Sequence, residues 1–220
     1  MSKIDQKELA AIFKEVSARL LSKAEDRGFL IFRWRKSDRI QREWIQEPDA
    51  KQILSTILSE KSIYFGLEWP TLEVYDFSGP NRGTARIDVA IEPRYKGIEQ
   101  INVELKEGWS ASKTGSKSVG RIQKDFEKML REPVSGCAFY HILQGPTRKD
   151  LSKLLGKYLI EYEMAVTRVR ERDKIISKWC LLFFFLRENQ ECYWREFDDI
   201  SRISLKEPDL NGFNHMSLSE

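Results

Sequence analysis

Histidine and cysteine are scarce in this 220-residue chain, with two of the first and three of the second. His141 and His215 stand far apart, so no imidazole-based zinc site is expected. Cys137, Cys180 and Cys192 are odd in number and show no CxxC spacing. That argues against a disulfide framework and for a reducing, cytoplasmic setting. No apolar run could span a bilayer: "WCLLFFFL" at 179–186 is eight residues, where about 20 are needed. No charged-then-apolar leader opens the chain, so no signal peptide is expected. Neither sign of charge dominates, with 37 Lys and Arg against 34 Asp and Glu. Such a balance permits a nucleic-acid partner without requiring one. Repeats and low-complexity linkers are absent too, which leaves residues 1–220 as one undivided domain.

What is present is a series of periodic segments. Leu9, Ile12, Phe13, Val16, Leu20 and Leu21 recur at helical spacing over 4–25, with Gly28 as a stop. A second helix is expected from about Asp49, since Pro48 interrupts anything earlier. "SIYFGLEW" and "TLEVYDF" read as strands, and "SGPNRG" at 78–83 as a turn. "ARIDVAIE" and "QINVELKE" alternate as strands do. "GWSASKTGSKSVG" at 108–120 reads as a mobile polar loop. A helix near 120–131 carries Ile122, Phe126, Met129 and Leu130 on one face, and "GCAFYHIL" is a strand. Residues 148–173 are mostly helix. "KWCLLFFFLREN" and "CYWREF" are strands that can form a hairpin. The polar tail, 207–220, is expected to be loose.

The segment "ARIDVAIEPRYKGIEQINVELKEGW" at 85–109 sets charged residues among Ile and Val. Period-two alternation puts Ile87, Val89 and Ile91 on one face and Asp88 on the other. In the next strand Asn102, Glu104 and Lys106 share a face. A turn centred near Lys96 brings Asp88 opposite Glu104, where facing Cβ atoms lie ~4.5–5.5 Å apart. Two carboxylates so close need a positive partner. A hard divalent cation such as Mg²⁺ supplies it economically, with Lys106 beside it to neutralise charge, or to act on water if its pKa is depressed. The plainer alternative is a half-exposed antiparallel sheet with a solvated Glu-Lys pair.

"RIDVAI…INVELK", followed by "IQKDFEKML" and "GCAFYHIL", resembles the core of the PD-(D/E)XK, or restriction-endonuclease-like, nucleases. The resemblance spans roughly 42–144. It implies an α-β-β-β-α-β core, an α/β fold with a central mixed β-sheet flanked by helices. Residues 1–41 would be a helical extension and 145–206 an added helix and strands. Asp88 and Glu104 would be metal ligands, joined by the carbonyl of Leu105, and Lys106 the catalytic lysine. Ile87 stands where the nominal motif has proline. A further acid often comes from the first helix or its vicinity; Glu43, Glu47, Glu60 and Glu68 are candidates. The implied activity is Mg²⁺-dependent phosphodiester hydrolysis, with Mn²⁺ as a substitute, acting on nucleic acid, DNA first, in a restriction, repair or defence setting. A homodimer or a targeting subunit is the partner implied; a membrane is not.

Lys113, Lys117 and Arg121 follow the active strand and could track a nucleic-acid backbone, or simply keep a loop soluble. Gln123 and Lys124 open the next helix and could face the site, or be ordinary surface residues. "FRWRKSDRIQREW" at 32–44 mixes aromatics and arginines, which suits single strands or an amphipathic rim with Trp34 and Trp44 inward. His141, in an apolar strand, is read as a hydrogen-bonded core histidine, and Cys180 as a buried apolar residue. Three readings stand: a nuclease, a nuclease-fold module without chemistry that binds nucleic acid or a partner protein, and an unrelated α/β protein.

Overall fold

Asp5 begins the first helix by accepting the backbone N–H of Glu8 at 2.8 Å on Oδ1, which satisfies one of the donors a helix start leaves open. In the computed structural model, residues 4–25, 45, 47–71, 85–92, 99–107, 116–143, 148–203 and 210–219 are described. Helix α1 runs Gln6–Glu25, and its stripe of Leu9, Ile12, Phe13, Val16 and Leu20 is buried. Helix α2, Glu47–Glu60, carries Pro48 in its first turn, where the missing N–H costs nothing. Ile53, Leu54, Ile57 and Leu58 form its buried side.

The described strands are β1 Phe65–Pro70, β2 Arg86–Ile91, β3 Ile101–Glu107, β4 Gly136–Leu143, β5 Trp179–Leu186, β6 Glu191–Phe197 and β7 Asn214–Ser217. They form one seven-stranded sheet in the order in which they occur in the chain. The pairs β1–β2 and β2–β3 are antiparallel, β3–β4 and β4–β5 parallel, and β5–β6 and β6–β7 antiparallel again. The two parallel steps are bridged by helix α3, Ser116–Arg131, and helix α4, Arg148–Arg172. This is an α/β fold with a mixed sheet and helices on both faces. Ile122, Phe126, Leu151, Tyr158 and Tyr162 of α3 and α4 pack with Phe139, Leu182 and Phe184 on one face. On the other, α1 and α2 pack with Val103, Leu105, Tyr140, Phe183 and Phe185. Every residue of β4 is buried, as a strand covered on both faces requires. At Gly136 an added Cβ would fall 2.0 Å from the Trp179 ring, so the indole packs where only glycine leaves room.

Three sequence expectations need correction. Ser116–Gly120 is the start of α3 and not part of a loop; short polar residues mark helix starts as well as loops. The tail is not loose throughout. Asn214–Ser217 pairs with Glu191–Trp194, and Phe213 packs against Phe184 with ring centroids 6.0 Å apart. Strand pairing uses main-chain groups that composition does not reveal. Strict alternation also fails in β2. Ile87 lies in the α3/α4 face, whereas Val89 and Ile91 lie in the α1/α2 face, so the strand rotates at Asp88. "TLEVYDF" beyond Thr71, the turn at 78–83, and the segment with Trp34 and Trp44 lie outside the described residues.

Candidate active site

The rotation at Asp88 coincides with a gap in pairing. β2 and β3 pair at Val89↔Val103, Ala90↔Asn102 and Ile91↔Ile101. One step further, the same register sets Asp88 across from Glu104, and there the ladder stops. β1 skips the same position: Leu67 pairs with Val89 and Trp69 with Ile87, while Glu68 between them holds φ at 47°. That left-handed backbone is uncommon outside glycine. The strands thus part around one acid, and Asp88 uses the opening. Its Oδ2 accepts the Leu105 backbone N–H at 2.8 Å, and its Oδ1 lies 3.2 Å from Lys51 Nζ. Lys51, on α2, also bonds Glu68.

Glu104 points to the opposite side of β3 from Leu105, towards α3, and its side chain is only 2% exposed. Lys128 Nζ lies 2.6 Å from Glu104 Oε1 and Lys106 Nζ 3.4 Å from Oε2. Asp125 completes the group. Its Oδ1 is 3.2 Å from Lys128 Nζ and its Oδ2 3.1 Å from Lys106 Nζ. Two acids and two lysines therefore alternate in a closed ring. Lys128 donates as well to the Arg86 carbonyl at 2.8 Å, tying β2, β3 and α3 together.

Burial first, then the nearby Asp125, pushes the Glu104 carboxyl up to about 8, against the pull of Lys128. Burial and then Asp88 push Glu47, at the start of α2, up to about 7. Burial works against the Lys106 ammonium, yet Glu104, Asp125, Asp88 and Glu47 together hold it above its ordinary value. Those four acids favour the charged form of Lys106, a direction opposite to the depressed pKa that action on water as a base would need.

Of the candidate extra acids, Glu47 and Glu68 come to the site and Glu60 does not. Glu60 sits at the far end of α2, paired with Arg19 at 2.6 Å. Glu43 and Lys113 lie outside the described residues. Lys117 and Arg121 belong to α3. Gln123 is buried and donates to Glu127 at 3.2 Å, so it is no surface contact; Lys124 is exposed. Leu105 keeps its side chain in the core. His141 is buried, with Nε2 3.1 Å from the Tyr158 hydroxyl, and the three cysteines are buried and free. Lys51, Asp125 and Lys128 escaped the sequence reading. The signal for the α3 pair was an acid and a lysine three apart, flanking the apolar stripe, which puts both at the sheet-facing margin.

Asp88, Glu104 and the Leu105 carbonyl offer oxygen alone, which suits Mg²⁺ or Mn²⁺ rather than zinc. Among the described residues no group of three or more His, Cys, Asp or Glu could hold an ion unaided. Mg²⁺ is usually held by one or two carboxylates, with water and phosphate completing its shell, and Asp88 and Glu104 match that count and donor type. Acids also outnumber lysines here: Glu47, Glu68, Asp88, Glu104 and Asp125 surround Lys51, Lys106 and Lys128. Among the described residues no helix is long and apolar enough to cross a membrane. No protein-family model matches the chain, and no curated protein matches it.

Proposed function

We propose that this chain is a metal-dependent nuclease that hydrolyses phosphodiester bonds, with DNA as its substrate. The observation that carries this reading is that Asp88 and Glu104 follow directly on the last paired positions of β2 and β3, near enough for Asp88 to raise the Glu104 carboxyl, with Lys106 3.4 Å from Glu104. The element order supports it. α2–β1–β2–β3–α3–β4 is the succession expected of a restriction-endonuclease-like core.

In this reading Asp88, Glu104 and the Leu105 carbonyl hold Mg²⁺, which when bound neutralises phosphate charge and makes water a better nucleophile. The Leu105 N–H fixes the Asp88 carboxylate, and Lys128 fixes Glu104. Lys106 offers positive charge to the phosphoryl oxygens, where charge grows during displacement. The resemblance implies a 5′-phosphate product. Buried, free cysteines accord with a cytoplasmic, reducing setting, and a second copy or a targeting subunit is the partner proposed.

One observation favours a second reading, a nuclease-fold module without chemistry. All four carboxylate oxygens of Asp88 and Glu104 already meet protein donors, namely Lys51, Leu105 N–H, Lys128 and Lys106. Such a cluster stands without any ion. Incubating the full chain with single- and double-stranded DNA and RNA, each with Mg²⁺, Mn²⁺ or chelator, separates the two. The nuclease reading expects cleavage that chelator abolishes. Asp88→Asn, Glu104→Gln and Lys106→Ala should each lower it by roughly 100-fold or more. Metal-independent behaviour, or unchanged cleavage in all three variants, rejects it.

A further inference from the structure

The charge ring raises a question that Asp88 and Glu104 do not answer. Lys106 hangs from an aliphatic stem with four rotatable carbons, and such a side chain has no fixed aim unless something restrains it. Glu104 is a poor restraint. Lys106–Glu104 is the longest edge of the ring, at 3.4 Å, whereas Lys128–Glu104 is the shortest, at 2.6 Å. Asp125 comes nearer to Lys106, at 3.1 Å. Its Oδ2 is buried and, among the described residues, accepts no aligned hydrogen bond, so the Lys106 ammonium is held there by charge and proximity. The other oxygen of Asp125 is anchored by Lys128, and Lys128 is itself pinned to the Arg86 carbonyl. The result is a bracket from α3 that reaches Lys106 without passing through Glu104.

We infer that Asp125 is a positioning residue, which holds the Lys106 ammonium at the site independently of Glu104 and so leaves Glu104 Oε2 free to take another ligand. This rests on the nuclease reading and deepens it, because it gives α3 a part in the reaction. A ligand on Glu104 breaks the weak edge of the ring while the Asp125 edge remains. Lys106 then keeps its place although one of its two anions has turned away. Lys128 serves the same bracket from behind, fixing Glu104 through Oε1 and Asp125 through Oδ1.

The test compares the full-length protein with Asp125→Asn and Asp125→Glu. Asparagine keeps the size and an acceptor oxygen but loses the charge facing Lys106; glutamate keeps the charge on a longer stem. Three quantities are read: kcat and KM for Mg²⁺-dependent cleavage, Mn²⁺ affinity by titration calorimetry without nucleic acid, and Tm. The expected result for Asp125→Asn is a kcat roughly 10- to 100-fold lower, the usual size for a lost supporting partner. KM and Mn²⁺ affinity should stay close to the parent's, because Asp125 faces Lys106 and Lys128 and neither Asp88 nor the Leu105 carbonyl. Asp125→Glu should recover part of the kcat. Unchanged kcat in Asp125→Asn overturns the inference. So does a parallel fall in Mn²⁺ affinity, which would put Asp125 to work on the metal, as a ligand or an outer-shell partner, and not on Lys106, or a loss confined to Tm, which would make it structural. A parent protein that neither binds Mn²⁺ nor cleaves overturns the nuclease reading itself, a different outcome from an active parent with an indifferent Asp125→Asn.

Discussion

Lys128 Nζ stands 2.6 Å from Glu104 Oε1 although the two residues lie 24 positions apart and come from different layers. Both are almost sealed from solvent, with side chains 8% and 2% exposed. Removing Lys128 leaves two buried acids, Glu104 and Asp125, to share the single ammonium of Lys106. Lys128→Met is therefore expected to cost about 3–5 kcal/mol of folding stability, measured by urea denaturation. Adding Glu104→Leu should recover much of that loss, since apolar replacement of both partners is often neutral. A double variant as unstable as the single one would show that the contact has no such coupling.

Lys51 competes for the same carboxylate that the proposed cation needs. It bridges Asp88 and Glu68 while its side chain is 17% exposed. Lys51→Met should tighten Mn²⁺ binding by up to about fivefold, the equivalent of a partly exposed ion pair of ~1 kcal/mol. Titration calorimetry on the full chain reads this directly. Weaker binding in the variant would mean that Lys51 orients Asp88 rather than competing for it.

His141 gives a pH signature unrelated to the metal. Burial, then the nearby Lys106, pushes its pKa down to about 3. A histidine kept neutral in the fold and free to charge when unfolded favours the native state above its ordinary pKa of ~6.5. That contribution is lost as pH falls from there towards the folded value, at up to about 1.4 kcal/mol per pH unit. His141→Phe, stacked on Phe184 as the imidazole is now at 5.0 Å between centroids, should flatten the stability profile between pH 4 and 6. Parallel profiles for the two proteins would contradict the burial argument.

Gly136→Ala should destabilise by roughly 1–3 kcal/mol, the usual range for an overpacked core, because the new methyl meets the Trp179 ring at 2.0 Å. Thermal melting checks it. Trp179→Leu in the same background should restore part of the loss by clearing that space.

The elements that could be read from sequence are those whose pattern reports their own burial. α1 shows a 3.6-residue stripe, and β4 and β5 are apolar runs covered on both faces. Asp88 and Glu104 stood out because each is an acid in an apolar strand, and the expectation of a turn near Lys96 set them across from each other. Lys51, Asp125 and Lys128 were hidden because their partners lie on other elements. Nothing in "KQILS" or "KDFEK" says which strand those helices will cover. β7 was hidden for another reason: its side chains are largely exposed, and its place depends on main-chain bonds to β6. The break in alternation at Asp88 arises from β1 and β2 both leaving that position unpaired, a relationship between strands that neither strand encodes alone.

Because each described strand of the sheet lies beside its immediate predecessor in the chain, pairing of these strands can proceed as a zipper from β1, with none of them forced between two already joined. The covering layer does not share that convenience. Gln6, at the start of α1, donates to the Phe197 carbonyl at 2.8 Å across 191 residues, and Phe13 packs edge-on against Phe183 at 5.5 Å. The seat of α1 is thus furnished in part by β5 and β6, which leave the ribosome long after it. During synthesis that helix must wait for part of its seat, so a chain truncated after β4 would have a half-built sheet and an α1 covered only by α2, β3 and Tyr140 of β4.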